Sequence, residues 1–429
     1  MEKTKISETK DYFVRGGKEF FYFADTCWSA FTNISLDEWK YYLKYRKMQG
    51  FNAIQIDILP QWDRSETDIY IDPFEVSSEG KWNFNKINEK YFERAENMIE
   101  IMVEEGIIPA LVVLWCNYVP GTWLTKMMAE RGISHVIPKE SLENYLYYVI
   151  EKFKKYNPIF IISGDTDFQE EEAVEYYLKA LKIAKECAPN SLTTMHLCGG
   201  FWELPEEIIN SSYYDFYMYQ SCHFKDKQNW TYEVAQKFYN MPVKRPIVNG
   251  EPCYEGLGSI GNFKKYGRFT RDDVRKAVWQ SLLSGAKAGI TYGAHGIWSW
   301  EKGIGEYKVV EGYGRPYDWR DAIKFPGVYD VSFAKEIFEK YKLFDIEPNN
   351  EVLVDGSEEI RISKGKDKIL IYTPFNLDIK LKLEEDYEWE GIELKERIIF
   401  VPEIKREGEN ILIKRIPFNS DLLFIGVKK

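Results

Sequence analysis

Two carboxylates stand where the chain has little reason to put a charge. Asp165 ends the stretch Ile161-Ile162-Ser163-Gly164-Asp165, and Glu251 falls in Ile247-Val248-Asn249-Gly250-Glu251-Pro252. A carboxylate closing a buried apolar run is costly without a partner or a purpose. Two such groups in unlike states can hydrolyse a glycosidic bond: a protonated carboxyl assists the leaving oxygen, and an ionised one attacks or activates water. The competing use of Asp165 is as an N-cap or ion-pair partner for the following helix, a role that Asp167 could fill as well. For Glu251, followed by Pro252, the structural alternative is weaker.

The elements that must position these residues are short apolar runs alternating with helical patterns. Eight such runs are read as strands: Phe20 to Asp25, Ala53 to Leu59, Ile107 to Trp115, Pro158 to Gly164, Leu192 to Leu197, Tyr213 to Tyr219, Pro246 to Gly250 and Gly289 to Ile297. Between them, Ser35 and Glu38 form a capping box with Gly50 as the stop, and Asn88 to Glu105 repeats the pattern with Gly106. Helical patterns also cover Lys139 to Lys155, Glu170 to Glu186, Tyr232 to Tyr239, Thr270 to Ala286 and Ser332 to Leu343. Strands apolar on both faces and joined by helices lie in a parallel sheet, and eight such units close most simply into a (β/α)8 barrel. A doubly wound open sheet is the rival, but no G-x-G-x-x-G follows the first strand. The carboxylates then end the fourth and seventh strands, across the barrel mouth from each other, where roughly 5 to 5.5 Å would separate a retaining pair.

From about Asp345 the texture changes to short alternating segments, including Glu351 to Val354, Glu359 to Ser363, Lys368 to Tyr372, Asp378 to Leu383, Arg397 to Val401 and Ile411 to Ile416. This predicts an α/β barrel over residues 1–344 and a small all-β sandwich over 345–429. The sandwich could bind glycan, join copies in a homo-oligomer, or simply pack on the barrel.

The 429 residues suit that plan, and a net charge of -11 disfavours nucleic acid or an anionic membrane as partner. No apolar run is long enough to cross a bilayer, and Met1 to Lys10 are polar, so a cytoplasmic protein is expected. Six cysteines without C-x-x-C spacing read as reduced thiols, and no cofactor motif is present. Aromatic residues reach 16%, with 13 Trp and 30 Tyr. Trp28, Trp62, Trp115, Trp123, Trp202, Trp230, Tyr254, Tyr292, Trp298 and Trp300 fall at or just after strand ends. That rim is where barrels build sites, and aromatic faces suit sugar rings, although rings this large also fill cores. Trp39 and Trp279, inside helices, read as structural.

Several segments together resemble the apiosidase-like barrel, glycoside hydrolase family 140: Gly17 to Trp28, Gly50 to Gln55, Ser163-Gly164-Asp165, Tyr219-Gln220-Ser221, Asn249 to Glu255 and Thr291 to Trp298. The resemblance spans roughly Asp11 to Phe344, and the tail resembles the β-sandwich, named for collagen binding, that accompanies this barrel. It implies a retaining mechanism on a plant-derived oligosaccharide, with Asp165 as acid/base, Glu251 as nucleophile and apiose as the sugar released. Ser163 departs from the second Gly that members often carry. On this reading Glu251 should be kept ionised by hydrogen bonds, with Tyr292 and His295 as candidate donors. Candidate sugar contacts are Asp25, Trp28, Gln55, Trp115, His196, Gln220, His223, Tyr254, Glu255, Tyr292, His295 and Trp298. The Pro60 to Phe84 loop, with Trp62, Asp63, Arg64 and Trp82, is expected to wall the pocket. Two other readings stand beside this one: a non-catalytic glycan-binding protein, and a zinc hydrolase using His196, Cys198, Cys222 and His223, for which four histidines in the chain are few.

Overall fold

The computed structural model describes residues 2–132, 134–307, 310–417 and 419–429. Eight parallel strands close into a barrel: β1 (Tyr22–Thr26), β2 (Ala53–Asp57), β3 (Ile108–Trp115), β4 (Ile159–Gly164), β5 (Thr193–His196), β6 (Phe216–Gln220), β7 (Ile247–Glu251) and β8 (Gly289–Tyr292). Each lies inside, or within two residues of, an expected run. Every residue of all eight is buried, as strands covered by helices outside and packed side chains inside must be.

The helices stop and start where local chemistry dictates. Ser35 and Glu38 make the reciprocal capping box that opens Leu36–Met48, and Thr270 with Asp273 opens Arg271–Leu282 in the same way. Helix Glu89–Glu104 buries Tyr91, Ala95, Met98, Ile99 and Met102 along one stripe, as its spacing demands. Trp39 and Trp279 are fully buried, and the Trp39 indole N–H donates to Met98 O.

Two local expectations change. Phe20, expected to open β1, instead ends Lys18–Phe20, which pairs with Phe13–Arg15, itself paired with Thr4–Ile6, in a separate antiparallel sheet. From it Phe13 packs edge-on against Tyr22 and Phe216 of the barrel. The loop after β2 contains a hairpin, Phe74–Val76 with Trp82–Ile87. There Trp82 stacks on Tyr118 and His135, away from the barrel mouth.

The C-terminal part is a sandwich of a six-stranded and a four-stranded antiparallel sheet. Its two longest strands, Tyr387–Glu393 and Leu422–Lys428, pair along their whole length inside the larger sheet, and neither was among the segments expected from sequence. One face packs on the barrel. Leu370, Tyr372, Ile392, Leu394, Leu423 and Ile425 join the barrel's core cluster, while Ile360, Ile369, Ile379 and Ile413 fill a separate core between the sheets.

Candidate active site

A cavity of about 410 Å³ opens at the C-terminal mouth of the barrel. Asp165 and Glu251 both line it. Aromatic walls come from six of the loops: Trp28 after β1, Trp62 after β2, Trp115 and Trp123 at and beyond β3, Phe224 after β6, Tyr254 after β7, Trp298 and Tyr313 after β8. Gln220, His223, Gln61, Asp63 and Asp167 supply polar edges. Among the described residues, no lysine or arginine lines the cavity.

Glu251 is 5% exposed. Its His223 partner stands at the end of a loop turned by Cys222 in the left-handed region, φ 72°, and brings Nε2 to 2.7 Å from Glu251 Oε1. His196 Nε2 lies 3.1 Å from Oε2, on a slanted approach, and neither atom has any other partner. The Tyr254 hydroxyl, which accepts from Trp28 Nε1 at 3.1 Å, also hydrogen-bonds Glu251. The register of β6 against β7 shifts between Tyr219 and Gln220, an irregularity that re-aims side chains at the strand end. Asn249 steadies that turn: its Nδ2 donates to Ser221 and Ser281 hydroxyls at 3.0 Å each, while its Oδ1 accepts the Glu251 N–H at 3.3 Å. Burial alone would lift the Glu251 carboxyl; the hydrogen bonds from His196 and His223 overcome it and hold the group down at about 2.

Asp165 meets the opposite environment. Burial, then the neighbouring charge of Glu251, then Asp63 and Asp167, push its carboxyl well above the ordinary carboxylate range. Its backbone is left-handed at φ 54°, which Asp tolerates better than most residues. It does not cap the following helix, whose N-cap is Glu170. Asp167 accepts the Trp123 N–H at 3.3 Å, capping the helix Trp123–Glu130 of the preceding loop instead. Asp63 is pushed up to about 7 by burial, opposed by the Tyr313 hydroxyl that donates to it at 2.9 Å. Asp57, buried at the end of β2, is likewise raised well above the ordinary carboxylate range, by burial and then by Asp63 and Glu251.

Of the twelve expected sugar contacts, Trp28, Trp115, Gln220, His223, Tyr254 and Trp298 line the cavity. The other six do not, and each is committed elsewhere. Asp25 points outward from β1 to Arg46 Nε at 2.6 Å and the Tyr42 hydroxyl at 2.5 Å. Gln55 points inward but one layer too deep, donating to Gly250 O at 3.0 Å. Glu255 accepts from the Tyr292 hydroxyl at 2.7 Å and the Gly327 N–H at 2.8 Å, so Tyr292 holds Glu255 rather than Glu251. His295 is fully buried behind Trp298, with its ring parallel to the indole, and burial drives it down to about 3. His196 lies beneath the cavity. The donors to Glu251 are therefore His196, His223 and Tyr254, in place of Tyr292 and His295. In the loop after β2, Trp62 and Asp63 line the cavity, whereas Arg64 and Trp82 do not.

Tyr313, Leu257 and Ile260 line the cavity without having been singled out, since they lie in long excursions after β7 and β8 that carry no periodic signal. Cys198 and Cys222 are also in the wall, and all six cysteines are unpaired. Both histidines of the zinc reading turn toward Glu251, and among the described residues no three His, Cys, Asp or Glu side chains gather as a metal site would need.

A search of curated proteins gave no match. Among solved structures, one described only as a glycoside hydrolase superposes with a TM-score of 0.78 at 20% identity, covering 99% of this chain and 96% of that one. A glycoside hydrolase family 5 protein from Bacteroides vulgatus gives 0.78 at 20% identity over 99% and 92% of the two chains. An endo-1,4-β-mannanase from Rhizomucor miehei gives 0.53 at 13% identity, covering 79% of this chain and 99% of the other. At these identities the likeness speaks for the fold. The sequence family described as apiosidase-like, catalytic domain, matches residues 7–345, which is most of the chain and all of the barrel. The chain therefore belongs to the apiosidase-like family and is a glycoside hydrolase.

Proposed function

We propose that the protein is a retaining glycoside hydrolase in which Asp165 is the acid/base and Glu251 the nucleophile. The observation that carries this reading is the opposite surroundings of two carboxyls facing one cavity, imidazoles beside Glu251 and other carboxyls beside Asp165. Asp165, whose carboxyl those neighbours and burial push up, holds the proton and passes it to the departing glycosidic oxygen. Glu251, held ionised by His196 and His223, attacks the anomeric carbon and forms a glycosyl ester. Asp165, now ionised, takes a proton from water, which opens the ester and returns both groups to their starting states.

The walls argue for a sugar. Trp28, Trp115 and Trp298 offer flat apolar faces beside Gln220 and Asp63, the mixture that C–H faces and hydroxyls require. A lining without lysine or arginine suits a neutral glycoside, and family membership makes an apioside of a plant-derived oligosaccharide the first to try. Six unpaired thiols suit a reducing cytoplasm, where short oligosaccharides would be the form encountered.

The test is hydrolysis of aryl furanosides and pyranosides, apioside and arabinoside included, by the wild type and by Glu251→Gln, with the product anomer followed by NMR. Sugar released by the wild type alone, with configuration retained, is the expected result. Inverted product, or turnover that survives in Glu251→Gln, would reject the assignment.

A further inference from the structure

His196 belongs to neither carboxyl, yet it touches both. Its ring Nδ1 accepts the backbone N–H of Asp165 at 3.2 Å. Its Nε2 points to Glu251 Oε2 at 3.1 Å. Its own backbone is clamped by the same strand end, because the Ser163 hydroxyl donates to His196 O at 2.9 Å. Ser163, Gly164 and Asp165 at the end of β4 therefore hold one histidine of β5 at two points, by its carbonyl and by its ring. The left-handed turn at Asp165 makes this possible, since it aims the side chain into the cavity and the N–H back at the ring.

The chemistry of imidazole then fixes what His196 can be. A nitrogen that accepts an N–H cannot carry a proton, so in the neutral ring the proton sits on Nε2, the nitrogen that faces Glu251. The ring is fully buried between Trp28, edge-on at 5.5 Å between centroids, and Trp115 at 5.8 Å. It cannot turn over without displacing the cavity wall.

We infer that His196 is a positioning residue with two separable roles: through Nδ1 it holds the Asp165 turn that aims the acid/base, and through Nε2–H it steadies the ionised form of Glu251. This rests on the roles proposed above for the two carboxyls. Among the described residues, the titratable groups facing Glu251 are His196 from β5, Cys222 and His223 after β6, Tyr254 after β7, Asp57 and Asp63 from β2 and its loop, and Asp165 from β4. Among them only the two histidines and the tyrosine donate to it.

Two substitutions separate the roles. An Asn side chain reaches as far as Nδ1 and offers an oxygen to the Asp165 N–H, but leaves Glu251 without the donor. A Gln side chain reaches as far as Nε2 and offers an N–H to Glu251, but leaves the Asp165 turn unheld. The readouts are pH profiles of kcat/KM, measured on the 4-nitrophenyl and methyl glycosides of the sugar released in the panel above. In His196→Asn the acid limb should move to higher pH, because Glu251 must be ionised and has lost a donor, and both glycosides should lose rate alike. In His196→Gln the limb should stay in place, and the loss should fall on the methyl glycoside, at least tenfold beyond that on the nitrophenyl one, since only the poor leaving group needs a well-aimed acid. Equal losses in both variants, with no movement of the limb, would overturn the inference.

A measurement on the unaltered protein decides the same point without turnover or variant stability. In 15N NMR of the histidine rings, the neutral form of His196 should show an unprotonated Nδ1 and a protonated Nε2. The opposite tautomer would overturn the inference even if Asp165 and Glu251 prove catalytic. The expected tautomer together with an active Glu251→Gln would instead sink the proposed mechanism and leave the placement of His196 intact.

Discussion

At the scale of single residues, the site works by giving two carboxyls opposite neighbours. Asp165 has a half-buried carboxyl that meets other carboxyls, while Glu251 meets two imidazoles and a phenol. The sign of the pH dependence follows. In the proposed mechanism Asp165 acts in its protonated form, and its carboxyl is raised, so kcat/KM should fall as pH climbs through that raised value. Asp165→Asn should remove this alkaline limb and lower kcat/KM on methyl glycosides by about 10²–10⁴-fold, the usual contribution of a general acid. Aryl glycosides with good leaving groups should lose much less. A profile that keeps its alkaline limb in the variant would assign the limb elsewhere. Glu251 behaves in the reverse sense, being ionised from about pH 2 upward. Both carboxylates were legible in sequence because each closes an apolar strand. Their surroundings were less so, because a strand end fixes a residue's height but not which way it faces. Along β1 the side chains of Tyr22 and Thr26 reach inward to Gln55, while Phe23 packs outward on Phe51 and Asp25 outward on Arg46. Asp25 was thus at the right height on the wrong face, and Gln55 on the right face a layer too deep.

At the scale of elements, the fit between neighbouring strands decides where the walls stand. Gly164 ends β4, and a Cβ there would lie 2.1 Å from Trp115 Cε3. The indole lies against bare backbone, and that close approach leaves room for the cavity. Gly164→Ala should push the ring into the space a substrate needs and lower kcat/KM by about 10–100-fold, the scale expected when a reacting group is displaced by about 1 Å. The overpacking should cost about 1–3 kcal/mol of stability. Activity kinetics and a thermal melt would check both, and an unchanged kcat/KM would show that Trp115 does not define the pocket. A second element-scale constraint joins β1 to the helix Leu36–Met48. Arg46 and Asp25 are both fully buried and 2.6 Å apart, with Tyr42 as a third partner. Arg46→Met leaves Asp25 charged and buried, so denaturant titration should register a loss of about 3–5 kcal/mol. A loss under 1 kcal/mol would mean that water replaces the guanidinium. Neither constraint could be read from one segment, because each joins parts of the chain that meet only on folding.

At the scale of the whole molecule, the barrel was legible because its strands and helices differ in period, and the sandwich only in part because its central strands do not announce themselves. Tyr387–Glu393 carries three acids in seven residues, and Leu422–Lys428 is apolar without a break as far as Val427. They become strands by pairing with each other, Leu422–Lys428 also with Lys368–Thr373 and Tyr387–Glu393 also with Ile398–Phe400, contacts that no local pattern records. What the sandwich does for the barrel follows from its attachment. Arg275, on the helix Arg271–Leu282 between β7 and β8, is 4% exposed and places Nη2 2.6 Å from Asp421 Oδ1 of the sandwich. Its Nη1 lies 3.0 Å from Asp330, which also takes Arg271 at 2.7 Å, and the Tyr372 hydroxyl donates to Asp421 at 3.1 Å. Such a cluster is worth little beyond an apolar contact when whole, yet is strongly destabilising when one member is removed, because the charge left behind stays buried. Asp421→Ala should therefore cost about 3 kcal/mol, at the low end of the range for a broken buried pair because Asp330 still faces Arg275. Among the described residues none beyond Tyr313 lines the cavity, so kcat/KM on any glycoside the protein cleaves should stay within about twofold of wild type below the melting transition. Urea titration monitored by fluorescence, run beside kinetics at the same temperature, separates the two effects. Lost stability with activity retained would make the sandwich a cover for the barrel's flank. Activity that falls while stability holds would show that the sandwich reaches the substrate, most simply through the loop after β7 that Arg271 and Arg275 help to anchor.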